Sequence, residues 1–391
     1  MGKLSVILLV IVALVAAVPT MAQGNTTGQL GGSLIVMPEL FERANSAFTA
    51  GNYDQAAVDY SLFIYLNPTF SQGYFNRALN YDALGSTDQA LQDLTRALNY
   101  TSPSSQFTSN VYLARAQLYL QQNNLQSAMR DLDASIEAYP EAVSSLSLRA
   151  QILSYLQSYS EALNDYDKLI QLQPDQTGHY LDRGIVHAQL GHSDEALADF
   201  THAIELSPQD AEPYALRAQY YSSIRNFADA LDDINNAIDL SPNSGEFYLM
   251  RGAINASVNE PAAAADDYFQ WITLNRTQQY VSQDALTRNQ NFTVEMAPGW
   301  VYNIPFRARE GQTVNITASG VSQQQPVDPL LVILGVNGSP LVADDDSGGN
   351  MAAFIRNYVI PEDGEYTLVV GQAGGGTQQG DVAVQVDLGQ D

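Results

Sequence analysis

Cysteine is absent from the 391 residues. That excludes disulfides, zinc-thiolate sites, thiol nucleophiles and lipidated-cysteine anchors together, so stability has to come from packing. Positive charge is scarce as well: 17 Lys and Arg against 43 Asp and Glu leave a net charge of −26. Such a balance argues against a nucleic-acid surface and against adsorption to anionic lipid. Histidine occurs four times, at His179, His187, His192 and His202, with spacings of 8, 5 and 10. None of these is the i, i+4 pair that puts two imidazoles on one helical face. There is no His-Glu-x-x-His helix, Gly-x-Ser-x-Gly elbow or Walker loop. The expectation is a non-enzymatic chain without a cofactor or metal centre.

Long apolar runs are confined to the start. Lys3 supplies a short basic lead, residues 4–18 are almost continuously apolar, and Thr20-Met21-Ala22 offers a small-x-small cleavage site. The run is shorter than the ~20 residues a spanning helix needs. Residues 1–22 therefore read as a cleaved signal peptide, the location as extracytoplasmic, and membrane association after cleavage is not expected. Residues 23–36 are polar and glycine-bearing, a linker. Seven Asn-x-Ser/Thr sites, Asn25, Asn99, Asn255, Asn275, Asn291, Asn315 and Asn337, would accept glycans in an organism with that machinery.

What is abundant is repetition. An arginine followed by a small residue recurs at Arg43, Arg77, Arg115, Arg149, Arg183, Arg217 and Arg251, in steps of 34 except for one of 38. Sixteen residues beyond each stands an aspartate (Asp59, Asp93, Asp131, Asp165, Asp199, Asp233, Asp267), always three past an alanine. Prolines at 68, 140, 174, 208 and 242 punctuate the units. A fixed period near 34 marks two-helix hairpins, none of which can bury its apolar face alone. The pattern resembles the tetratricopeptide repeat. The fifth copy carries it best: Tyr180, Arg183, Gly184 and His187, then Gly191, then Ala196, Phe200, Ala203 and Pro208. The seventh copy lacks its proline and has Trp271 in place of a small residue, so Trp271 is expected to cover an end of the array.

Beyond residue 276 the helical period gives way to strand-like alternation and apolar runs at 301–306, 314–318, 330–334, 366–370 and 382–386. The fold class expected is thus multidomain: an α-solenoid of seven hairpins over 37–276, a capping helix or linker over 277–290, and an antiparallel β-sandwich over 291–388. Asp328-Pro329 with 330–334, Asn337-Gly338 running on to Asp344-Asp345-Asp346, and residues 361–368 are similar to the bacterial pre-peptidase C-terminal domain. That resemblance implies an accessory or adhesive role. The acidic turn 344–350 reads as solvated, with calcium, which takes about 6–8 oxygens, as the rival occupant.

Equal numbers in fixed phase predict that each arginine pairs with its own aspartate across the hairpin rather than forming a ligand-gripping stripe. Binding residues are expected on the first helices, which by resemblance line a concave face. Phe41, Asn45, Phe48, Phe75, Leu79 and Leu113 are the candidates, with Leu120 beyond them and small or amide residues such as Ser147 and Gln151 further on. No basic clamp lies among them. The function expected is an exported interaction scaffold holding a protein or peptide partner in that groove, with oligomeric state open. The rival is a cell-surface or carbohydrate attachment protein in which the sandwich binds and the solenoid is a spacer.

Overall fold

A computed structural model of the chain describes residues 36–282, 284–287, 289–321, 327–345, 351–373 and 379–389. The leader, most of the linker, residues 346–350 of the acidic turn and the glycine run at 374–376 lie outside them. Among the described residues, fourteen α-helices form a solenoid of seven hairpins, followed by nine strands in two sheets. The hairpins are α1 (Val36–Thr49) with α2 (Tyr53–Leu66), α3 (Ser71–Ala83) with α4 (Thr87–Leu98), α5 (Gln106–Gln121) with α6 (Leu125–Ala138), and α7 (Val143–Tyr155) with α8 (Tyr159–Leu172). They continue as α9 (Thr177–Leu190) with α10 (Ser193–Leu206), α11 (Ala211–Ser223) with α12 (Phe227–Leu240), and α13 (Gly245–Ser257) with α14 (Pro261–Asn275). The chain divides into two compact units within α9, one ending at Val186 and the other beginning at His187.

The small residues of the period are where helices touch. Ala44, Ala78, Ala116, Ala150 and Ala218 on first helices, and Ala56, Ala90, Ala128, Ala162, Ala196 and Ala230 on second helices, are all at most 1% exposed. A larger side chain there would hold the hairpin open. At Gly252 even a methyl would not fit, since an added Cβ would come 2.9 Å from the Tyr268 ring. Each hairpin turns through one residue of positive φ at the same place in the period: Gly51, Gly85, Asn123, Gln157, Gly191, Arg225 and Asn259. Glycine adopts this left-handed conformation without strain, whereas the four side chains there carry a backbone penalty.

The strands are β1 (Gln278–Val281), β2 (Gln290–Met296), β3 (Trp300–Ala308), β4 (Thr313–Gly320), β5 (Pro329–Leu334), β6 (Pro340–Asp344), β7 (Ala352–Val359), β8 (Gly364–Gln372) and β9 (Gly380–Leu388). One sheet runs β1-β3-β8-β5-β6 and the other β2-β9-β4-β7. The segment expected as a capping helix or linker is in part a strand: β1 pairs with β3, and the pairing is parallel, so the first sheet is mixed. Four residues are too few to show a period in sequence.

β5 shows why its sequence is unbroken Leu-Leu-Val-Ile-Leu. Leu331 and Ile333 enter the core between the sheets with Phe306, Ile316, Leu368 and Val384. Leu330, Val332 and Leu334 face the other way, into a second cluster with Tyr268, Trp271 and Ile272 of α14. A strand covered on both faces has no solvent side to alternate with. Trp271, 4% exposed, donates its indole N–H to the Gln372 carbonyl at 3.0 Å, so the end of this hairpin is closed by the sheet.

Candidate functional site

The charge columns are structural. Arg43, Arg77, Arg115, Arg149, Arg217 and Arg251 each grip the aspartate sixteen residues on through two nitrogens, Nε and one terminal nitrogen, at 2.6–3.1 Å. Paired planar groups suit this fork, and most of these arginines are flanked by a tyrosine ring, as Arg115 is by Tyr112 at 5.6 Å. The arginine beside Asp59 holds that carboxyl below its ordinary range. The remaining nitrogen does something the sequence reading missed. It reaches back to the preceding hairpin: Arg77 to Ser61, Arg115 to Thr95, Arg149 to Asp133, Arg183 to Asp167, Arg217 to Thr201 and Arg251 to Asn235, at 2.7–3.1 Å. Arg77, Arg115, Arg149, Arg217 and Arg251 therefore each staple two hairpins. The backward partner is sixteen residues upstream, or twenty where the four-residue insertion intervenes.

The predicted binding residues are not brought together as an exposed patch. Phe41 is 1% exposed and sits against Phe63 at 4.7 Å and Phe70 at 5.8 Å. Phe75 is buried beneath Phe107, the first-turn aromatic of the next hairpin, at 5.5 Å. Both are core residues: Phe41 packs on the second helix of its own hairpin, and Phe75 on the first helix of the next. Asn45 is engaged too: its side-chain oxygen accepts from Tyr60 at 2.7 Å and Asn76 at 2.9 Å. Phe48 is half-buried against Tyr53 at 5.7 Å, and Leu79 and Leu113 are half-buried at the edges of two core clusters.

A run of exposed apolar residues lies instead on α2. Val58 is 61% exposed, Leu62 47%, Tyr65 81% and Leu66 47%, and their spacing of four, three and one puts them on one helical face. Phe70 follows just beyond. The repeat itself supplies the comparison. At the places of Val58, Leu62 and Tyr65, the later second helices carry Gln92, Arg96 and Asn99; Arg130, Ala134 and Glu137; Asn164, Lys168 and Gln171; and so on to Asp266, Gln270 and Thr273. This outer face is apolar in the first hairpin and polar or small in the rest, a signal available from the sequence once its columns are aligned.

Other candidates resolve into structure. His187 is half-buried and lies 3.4 Å from His192 between their Nδ1 atoms. Among the described residues there is no group of three His, Asp or Glu able to hold a metal, and no helix is long and apolar enough to cross a membrane. Asp344 accepts from the Phe354 amide at 2.6 Å and Asp345 from the Tyr268 hydroxyl at 3.2 Å. The sequon Asn255 is buried and donates to Asp267 at 2.9 Å, which leaves it no room for a glycan.

Models of the tetratricopeptide repeat match residues 154–221 and 75–143, 113–177 and 216–272, together an unbroken stretch from 75 to 272. Among solved structures, the C-terminal part of a TPR repeat-containing protein from Cytophaga hutchinsonii is 15% identical with a TM-score of 0.51, covering 60% of this chain and 95% of that one. A tetratricopeptide repeat protein from Parabacteroides merdae is 23% identical with a TM-score of 0.45, covering 62% and 94%. No curated protein matches the sequence. Arginine staples, buried alanine columns and matched repeat models agree, and through these helical hairpins the chain belongs to the tetratricopeptide repeat family.

Proposed function

We propose that this is an exported, non-catalytic scaffold that docks a protein partner on the apolar outer face of its first hairpin. Repeats of this family serve protein–protein interaction, which sets the class. The observation that carries the mode is the exposed α2 stripe of Val58, Leu62, Tyr65 and Leu66, whose first three columns are polar or small in the other six hairpins. Its spacing suits a partner helix with an apolar stripe of its own. The acidic chain favours a partner whose rim is basic. Export is supported by the leader over residues 1–22.

Photo-crosslinking tests the docking face directly. A benzoylphenylalanine at position 65 should trap a discrete partner from the extracytoplasmic fraction, and the same group at position 171, its counterpart in the fourth hairpin, should not. Leu62→Gln with Tyr65→Ser should abolish that adduct with little loss of stability, because exposed positions cost within about 0.5 kcal/mol. Adducts arising from position 113 rather than 65 would return the partner to the first-helix groove.

The attachment reading rests on the resemblance, read from sequence, of three stretches within residues 328–368 to the pre-peptidase C-terminal domain. Under it, surface attachment follows residues 291–388 and survives loss of the α2 stripe.

A further inference from the structure

We propose that a cleft where α14 meets the first sheet binds a small organic cation, an ammonium or guanidinium head group carried on an apolar body. The cleft has a volume of about 300 Å³ and is lined by Trp271, Trp300, Glu246, Asn275, Thr277 and Gln372 among others. The chain has two tryptophans, and both are here. Trp300 is half-buried, and its indole is braced by Tyr280 at 5.2 Å, which itself stacks on Tyr302 at 4.7 Å and 13°. The wall is closely built. Gly299 has φ +73, and a Cβ there would stand 2.5 Å from the Asn275 carbonyl and 2.7 Å from the Thr277 hydroxyl, so glycine lets the turn before β3 close on the end of α14.

The chemistry of the lining selects the ligand. Three side-chain donors around it are already engaged: Trp271 with the Gln372 carbonyl at 3.0 Å, Asn275 with the Trp271 carbonyl at 3.0 Å, and Thr277 with the Pro298 carbonyl at 2.9 Å. Glu246 stands exposed at the mouth. Among the described residues no lysine or arginine lines the cleft, and the nearby Arg276 turns away to Gln279 at 2.7 Å. Aromatic faces beside a carboxylate attract a cation with an apolar skin. A neutral ligand, whether a sugar or an apolar molecule, would leave the carboxylate at the mouth unanswered. The net charge of −26 draws cations toward the molecule as a whole.

Because both indoles line the cleft, intrinsic fluorescence of the full chain reports its occupancy. Titration with tetramethylammonium chloride should change the emission saturably in the low millimolar range, with sodium chloride and glucose at equal concentration producing no such change. Acetyl-arginine amide as a second probe separates a free quaternary ammonium from a cationic side chain of a peptide, and binding of either one supports the site. Glu246→Gln, at an exposed position that keeps both reporters, should weaken binding about tenfold. Trp300→Leu should abolish the response while Trp271 still reports. The proposal is overturned if neither cation gives a saturable change beyond that of sodium chloride, if Glu246→Gln binds as tightly as the parent chain, or if glucose alone saturates the signal.

Discussion

The arginine staple can be broken where the molecule carries its own reporter. Asp267 is one turn before Trp271 on α14, and its carboxylate is 4% exposed. Arg251 approaches it with Nε at 3.0 Å and a terminal nitrogen at 2.6 Å, and Asn255 adds a third donor at 2.9 Å. At 26% exposure, Arg251 belongs with buried pairs, where loss of one partner strands a charge, rather than with surface pairs worth about 0–1 kcal/mol. Arg251→Met leaves Asp267 with Asn255 alone and also removes the bond to Asn235 and the contact with the Tyr248 ring. The expected loss is about 3–5 kcal/mol. Removing both charges in Arg251→Met with Asp267→Leu leaves no charge stranded, only the Asn255 amide without its acceptor, so the double variant should recover about 2 kcal/mol relative to the sum of the singles. Urea unfolding followed by tryptophan emission reads the transition beside the pair, which matters because repeat arrays need not unfold in one step. Strict additivity of the cycle would refute the staple, as would an Arg251→Lys variant as stable as the parent chain, since an ammonium cannot reproduce the fork.

The left-handed turn positions predict opposite signs for one kind of exchange. Gln157→Gly should gain about 0.5–1 kcal/mol and Gly191→Ala should lose about 1 kcal/mol, read by hydrogen exchange of the flanking helices. His179 is held below its ordinary range by burial. Protons therefore favour the unfolded chain, and its contribution is complete above the unfolded pKa of about 6.5 and lost as pH falls below it. His179→Gln should flatten the decline in melting temperature between pH 7.5 and 5.5. An unchanged profile would show that the imidazole titrates alike in both states.

The parts of this fold that were legible in sequence are those where one residue type recurs because one geometry recurs. Alanine columns follow from close helix contact, and the Arg–Asp column follows from a fork that only a carboxylate fills well. The backward partners of the arginines are a mixed column of Ser61, Thr95, Asp133, Asp167, Thr201 and Asn235. A partner that needs only to accept one hydrogen bond is chemically free to vary, so composition conceals it. Phe41 and Phe75 misled for a related reason: an aromatic at a first-helix position looks the same in sequence whether it faces a ligand or a packed neighbouring helix. β5 announced its two-sided burial in its unbroken apolar run, whereas β1 was too short to announce anything.

The tolerance of the backward contact bears on how such a chain changes its length over generations. Removing a whole 34-residue unit, for instance residues 143–176, brings the next arginine, Arg183, opposite Asp133 in place of Asp167, in the same phase. Copy number can therefore drift without each event waiting for a compensating substitution at the new seam. Insertions of other lengths do not share this freedom unless, like the four residues before α5, they are confined to the loop between hairpins and leave both helices in phase.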